Sequence, residues 1–196
     1  WDTNVLNAAD EWNSAGAAFQ YTVVQDDNGS PNFTCPGSGQ CGGAPGDNPI
    51  FFSSTACSGG FGDIVAVTVT CWDDTGAIVD APVLFNSTVP WNAYDGALQP
   101  PLNDIHRVLL HEFGHVFGLA HPDQATPPQI VVAIMNSHES DTYQLQPDDI
   151  SGIQTIYRNN AAPTTGCQID APNGARATWL LVVPAVIALR RRARAC

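Results

Sequence analysis

The sequence predicts an α+β fold in which helices pack on a small sheet, and three observations carry that prediction. Residues 2–19 and 103–119 repeat apolar side chains at helical spacing, residues 64–72 form a β-branched run, and a proline followed by two acids opens a third helical stretch at Pro147. In the first helix the stripe is Val5, Leu6, Ala9, Trp12, Ala15 and Phe19, with Gly16 weakening its end. Phe19 to Val24 reads as a short strand, and the polar Gly, Pro, Asn and Cys stretch from Asp26 to Gly46 reads as a long loop. Ile64 to Trp72 (IVAVTVTCW) is the clearest strand, bounded by Gly62 and the Asp73-Asp74-Thr75-Gly76 turn. Ile78 to Phe85 answers it, with Pro82 marking an edge or a bulge.

Asn103 or Asp104 caps the second helix, whose stripe is Ile105, Val108, Leu109, Phe113, Val116 and Phe117, and Gly118 ends it in a left-handed or crowded turn. An apolar run, Ile130 to Met135, follows a Pro-rich loop. Asp148 and Asp149 then fall in the first turn of the last helix, where its dipole favours negative charge, and Ile150 to Tyr157 supply the apolar face.

The 196 residues suffice for one core of about 160 residues and a tail, but not for two full-size domains. There is no Lys, and four of the seven Arg (Arg190, Arg191, Arg192, Arg194) lie in the last seven residues, so residues 1–189 hold three Arg against 19 acids, a net charge of −16. That body lacks the positive footprint of a phosphate-backbone binder, which excludes nucleic acid as a partner. Six Cys without paired CxxC knuckles fit disulfides in an oxidising compartment better than a structural zinc. Cys35 with Cys41 and Cys57 with Cys71 are the pairings that flank turns, although four Cys allow three connectivities. A chain opening on Trp1 reads as part of a longer precursor with an export signal.

Residues 111–121, HEFGHVFGLAH, carry the chemistry. Their spacing puts His111 and His115 on one helical face, one turn apart, where both imidazoles reach a single metal. Glu112 lies beside them, placed to accept a proton from water. Gly118 lets the chain turn so that His121 returns as a third nitrogen, leaving the open position that a catalytic zinc needs. A bare HExxH recurs by chance, but three His, one Glu and one Gly fixed over eleven positions on a predicted helix seldom do.

HExxHxxGxxH with a downstream Met resembles the metzincin zinc endopeptidases, and HEFGHVFGLAH is most similar to the matrixin branch. The resemblance covers residues 2–158 and implies a zincin-like catalytic domain: a small twisted mixed sheet, an active-site helix and a C-terminal helix. It implies one catalytic zinc on His111, His115 and His121, with Glu112 as general base and acid. Ala133-Ile134-Met135 matches the Met-turn, with Met135 as apolar floor under the imidazoles. In PDDISGIQTIY, Asp148 and Asp149 match the acid pair that anchors the C-terminal helix, and Gly152, Ile153 and Tyr157 match that helix as well. Ile64 to Asn86 resembles the upper sheet, whose edge strand holds an extended polypeptide substrate by strand addition.

Departures from the family also carry expectations. No His precedes His106, so the second, structural zinc of animal matrixins should be missing, with disulfides stiffening the same loops. Pro122 after the third ligand resembles the serralysin branch, yet Ser137 stands where that branch places a Tyr. His106 is expected to point away from the metal, and His138 to line the S1' wall or face solvent. Calcium is a further candidate through Asp26, Asp27, Asp73, Asp74 and Asp80, without EF-hand spacing.

Residues 161–177 read as a linker, and 178–196 as a short apolar segment, Trp179 to Leu189, closed by the Arg cluster. Eleven apolar residues span about 16 Å as a helix, half of a bilayer core. Linker, Cys167, apolar segment and Arg cluster together resemble bacterial C-terminal sorting signals of the myxobacterial type. That implies processing or attachment at Cys167, transient membrane contact through the tail, and a monomeric enzyme outside the cell. The competing reading is a metzincin-fold module at the cell surface that binds zinc without turnover.

Overall fold

The computed structural model describes residues 1–24, 48–57 and 59–157. Helix α1 (Asp2–Ser14) lies against α2 (Ile105–Val116), and a third helix, α3 (Pro147–Ile156), closes the described chain. Seven short strands connect them: β1 (Ile50–Ser53), β2 (Ala66–Thr68), β3 (Cys71–Trp72), β4 (Ile78–Asp80), β5 (Val83–Asn86), β6 (Trp91–Asn92) and β7 (Asn103–Asp104). The architecture is α+β with mixed sheets, as the sequence predicts.

The main sheet has the order β1-β5-β2, with β1 parallel and β2 antiparallel to β5. The long hairpin predicted from residue 64 to 85 forms in two ladders. Thr68 faces Val83 in one and Cys71 faces Asp80 in the other, and the pairing is interrupted where Pro82 sits. Proline offers no N–H to a ladder, although its carbonyl still accepts from Val69 N at 2.9 Å. A bulge between Cys71 and Trp72 adds to the break. Among the described residues β2 is an edge strand and β5 is central, and all four residues of β5 are buried.

Three expectations need correction. Phe19 to Val24 forms no strand: the Asn13 side chain accepts from Tyr21 N at 2.6 Å and donates to Tyr21 O at 3.0 Å, so at the middle of the segment both backbone groups pair with a side chain. In α1, Leu6 is exposed while Ala8, Ala9 and Trp12 form the buried stripe. Cys57 is disulfide-bonded, but not to Cys71, which remains a thiol buried on β3 in register with Asp80. Cys35, Cys41, Cys167, Asp26 and Asp27 lie outside the described residues, as does the tail.

The core joins α1, α2 and the sheet through Trp12, Phe85, Phe113, Phe117, Leu109, Leu110 and Met135. Trp12 Nε1 donates to Leu110 O at 3.0 Å, fixing α1 on α2, and Phe19 (edge-on) and Tyr21 (tilted) pack against Phe117 with centroids 5.1 and 4.5 Å away. This packing anchors one side of α2, and the site lies along the same helix. Among the described residues no helix is long and apolar enough to cross a membrane.

Candidate metal centre

Helix α2 starts at Asp104, which accepts from His106 N at 3.2 Å and so satisfies one of the free N–H groups of the first turn. It ends in a Schellman turn: Leu119 N donates to Gly114 O and Gly118 N to His115 O, with Gly118 at φ +88°. A side chain at that angle would be strained, and the turn sends the chain back toward the helix face it has just left. His121 thereby meets His111 and His115.

The three Nε2 atoms lie 3.0, 3.1 and 3.2 Å apart. Each Nδ1 faces an oxygen acceptor: Ile134 O at 2.8 Å for His111, Leu119 O at 2.8 Å for His115 and Gln124 Oε1 at 3.2 Å for His121. The ring proton therefore belongs on Nδ1, and three Nε2 lone pairs converge with no hydrogen between them. A triangle of this size has corners about 1.8 Å from its centre, which accommodates Zn–N bonds of about 2.0–2.1 Å. The donor set fits a zinc ion, and three protein nitrogens are one short of the four ligands that zinc usually takes. Among the described residues, this is the group of His, Cys, Asp or Glu side chains close enough to share an ion.

Burial disfavours the imidazolium forms, and the pKa values of His111 and His115 lie below the usual histidine range. Glu112 is 5% exposed, and burial pushes its carboxyl above the usual range, opposed by a hydrogen bond from Thr68 and by the neighbouring His115 and His121. Its Oε2 accepts from Thr68 Oγ1 at 2.6 Å.

Met135 is 2% exposed beneath this helix, and its sulfur occupies the space that a side chain on Gly114 would need. The run that carries it is held from below by Asp149, which accepts from Ile134 N at 2.9 Å, Met135 N at 3.2 Å and Gln146 N at 2.8 Å. Asp149 is buried, which raises its pKa, and the three backbone donors oppose that rise. One carboxylate thus caps α3 and fixes the strip whose Ile134 carbonyl orients His111. Asp148 stands half-buried in the same first turn.

Other candidates fall elsewhere. His106 pairs with Glu11 at 2.8 Å on the flank of α2 that faces α1, and His138 is exposed. A cavity of about 810 Å³ lined by Asn4, Asp10, Glu11, Tyr94, Asp95 and His106 contains none of the three clustered histidines. Asp73 uses Oδ1 to close its own turn, accepting from Thr75 N, Thr75 Oγ1 and Ala77 N, and these bonds hold its pKa below the usual range.

Several supporting residues were not legible in the sequence. Thr68, Gln124 and the Asp123–Ser137 pair, in which Ser137 N and Oγ donate to Asp123 at 2.9 and 2.6 Å, carry no motif. Gly114 alone left a trace, since a glycine inside a helical stretch costs about 1 kcal/mol and implies a packing reason.

A family model described as Matrixin matches residues 7–158, a span that includes all three helices except the first residues of α1. The chain belongs to the matrixin family. Similar proteins include the matrix metalloproteinase-16 of human, rat and mouse, each 36% identical over 77 residues. That stretch covers 37% of this matrixin and 11% of the length of each relative.

Proposed function

We propose that this matrixin is a zinc-dependent endopeptidase that hydrolyses internal peptide bonds of extracellular proteins, with residues 1–160 as its catalytic domain. The observation that carries the reading is the convergence of three Nε2 lone pairs beside the buried carboxylate of Glu112. A purely structural zinc has no use for a carboxylate next to an open position.

His111, His115 and His121 would hold the ion. Bound there, zinc supplies a Lewis acid that polarises the scissile carbonyl and makes water more acidic. Glu112 takes the proton of the attacking water and passes it to the leaving amine, so no covalent intermediate is needed. Edge strand β2 offers backbone groups to an extended substrate, an arrangement that favours unfolded peptide segments. Met135 and Asp149 keep the floor of the site fixed while the substrate changes.

The expected stoichiometry is one zinc per chain. Secretion or cell-surface delivery is supported by the family and by the cysteine-containing composition. Residues 161–177 act as a linker and 178–196 as a sorting segment with Cys167 as its processing point, on the strength of composition alone. The protein works as a monomer.

Glu112→Gln tests the reading. It keeps the size of the side chain and removes the base, so zinc stays bound while kcat falls by about 10²-fold or more. Undiminished turnover in a zinc-loaded Glu112→Gln protein would overturn the assignment.

A further inference from the structure

We propose that Thr68 is a positioning residue for Glu112, its hydroxyl holding one carboxylate oxygen so that the other is presented to the reacting water. The inference rests on the endopeptidase reading. It adds a residue that neither the zinc-binding sequence nor its helix contains.

Thr68 is the last residue of β2, and its Cα is fixed by the antiparallel register with Val83 of β5. Its Oγ1 lies 2.6 Å from Glu112 Oε2 and 3.1 Å from the backbone oxygen of the same residue. A hydroxyl has one proton, and the shorter contact has the length of an O–H···O⁻ bond, so the proton is donated to Oε2. The backbone oxygen, 3.1 Å away, accepts from the same hydroxyl only when its proton turns away from Oε2.

A glutamate has three rotatable bonds, and a buried carboxylate with no partner would swing to find one. Thr68 removes that freedom at low entropic cost, because a β-branched side chain has few χ1 choices of its own. With Oε2 occupied, Oε1 is the oxygen left to accept the proton. The placement also links two parts of the site. Side chains alternate across a strand, so Thr68 turns toward the helix while the backbone of the same edge strand stays available to substrate. Positioning of the base and registration of the peptide therefore share one rigid element.

Three variants of the full chain, loaded with zinc, separate this role from a structural one. Thr68→Val keeps the shape and removes the donor; Thr68→Ser keeps the donor; Glu112→Gln controls for the base. On a peptide substrate, Thr68→Val is expected to lower kcat by about 10- to 100-fold with KM within about twofold, and Thr68→Ser to stay within about threefold of wild type. Zinc per chain stays unchanged in both, and the melting temperature falls by only a few degrees in Thr68→Val, as one lost hydrogen bond requires. Crystal structures of zinc-loaded wild type and Thr68→Val supply a readout independent of turnover: the Glu112 carboxylate keeps the Thr68 contact in the first and rotates or splits into conformers in the second.

Wild-type kcat in Thr68→Val, an equal loss in Thr68→Ser, or an unmoved carboxylate in the Thr68→Val crystal would overturn the proposal. An inactive zinc-loaded wild type would instead overturn the endopeptidase reading, and the two crystal structures would still decide whether Thr68 positions the carboxylate.

Discussion

Gly114→Ala is expected to damage the site without touching a ligand. A Cβ on Gly114 would overlap Met135 Sδ and lie 3.0 Å from Met135 Cε and 3.2 Å from Trp12 Cζ2. Trp12 is fully buried and tied to Leu110 O, so it has little room to give. Met135 is flexible in its side chain, but its backbone is held by Asp149. Overpacking of this kind costs typically about 1–3 kcal/mol, while replacing glycine by alanine inside a helix returns about 1 kcal/mol. An overlap this close falls in the upper part of that range, about 2–3 kcal/mol, so the net loss should be about 1–2 kcal/mol, a fall in Tm of about 2–8 °C for a domain of this size. Zinc affinity should also drop, by about tenfold, because pushing Met135 moves the adjacent Ile134 carbonyl that orients His111. Thermal melts of metal-free and zinc-loaded protein, with a competitive zinc titration, measure both effects. The cause is isolated by a double-mutant cycle with Met135→Ala. In that background the overlap with Met135 is gone and only the 3.2 Å approach to Trp12 remains, so Gly114→Ala should be close to neutral, giving a coupling of about 1–2 kcal/mol. Equal destabilisation in both backgrounds would refute the packing argument.

Removing the carboxylate with Asp149→Ala leaves three backbone N–H groups without their acceptor and should cost about 3 kcal/mol, with zinc affinity falling alongside, as read by urea unfolding and zinc titration. Tyr21 donates to Phe113 O at 2.6 Å, and burial, reinforced by Tyr157, raises its pKa well above 10.0. A raised pKa means the folded state holds the proton longer, so the stabilisation is complete below about pH 10 and is lost as the pH rises through the folded value. Urea midpoints from pH 8 to 11 should fall less steeply in Tyr21→Phe than in wild type, at a cost near neutral pH of about 1 kcal/mol for the missing hydrogen bond. Gln124→Ala should weaken zinc binding through His121 while leaving the melting temperature of the metal-free protein unchanged, since the His121–Gln124 contact is exposed.

The helix that carries the site was legible because period, cap and stop agree within it: Asp104 begins it, the apolar stripe faces the core, and Gly118 adopts the positive φ that the turn requires. The same agreement marks α3, where Pro147 and the two acids open the helix. Phe19 to Val24 shows how local pattern fails. Its side chains suit a strand, but Asn13 and the aromatic rings around Phe117 dock it without one. Cys57 and Cys71 fail for a related reason, since flanking a turn in sequence does not bring two side chains to the same face. Thr68 lies 44 residues from Glu112, and no spacing rule reaches that far. Gln124 is near His121 in sequence, yet its contact depends on the turn at Pro122–Gln124.

On the proposed reading, His111, His115 and His121 hold a catalytic zinc beside Glu112. Metal content of the purified full chain, paired with cleavage of a generic protein substrate before and after chelation, tests it most directly. About one zinc per chain is expected, with cleavage that stops with chelator and recovers when zinc is restored. A folded chain that takes up no zinc, or a zinc-loaded one that cleaves no peptide bond, would contradict it.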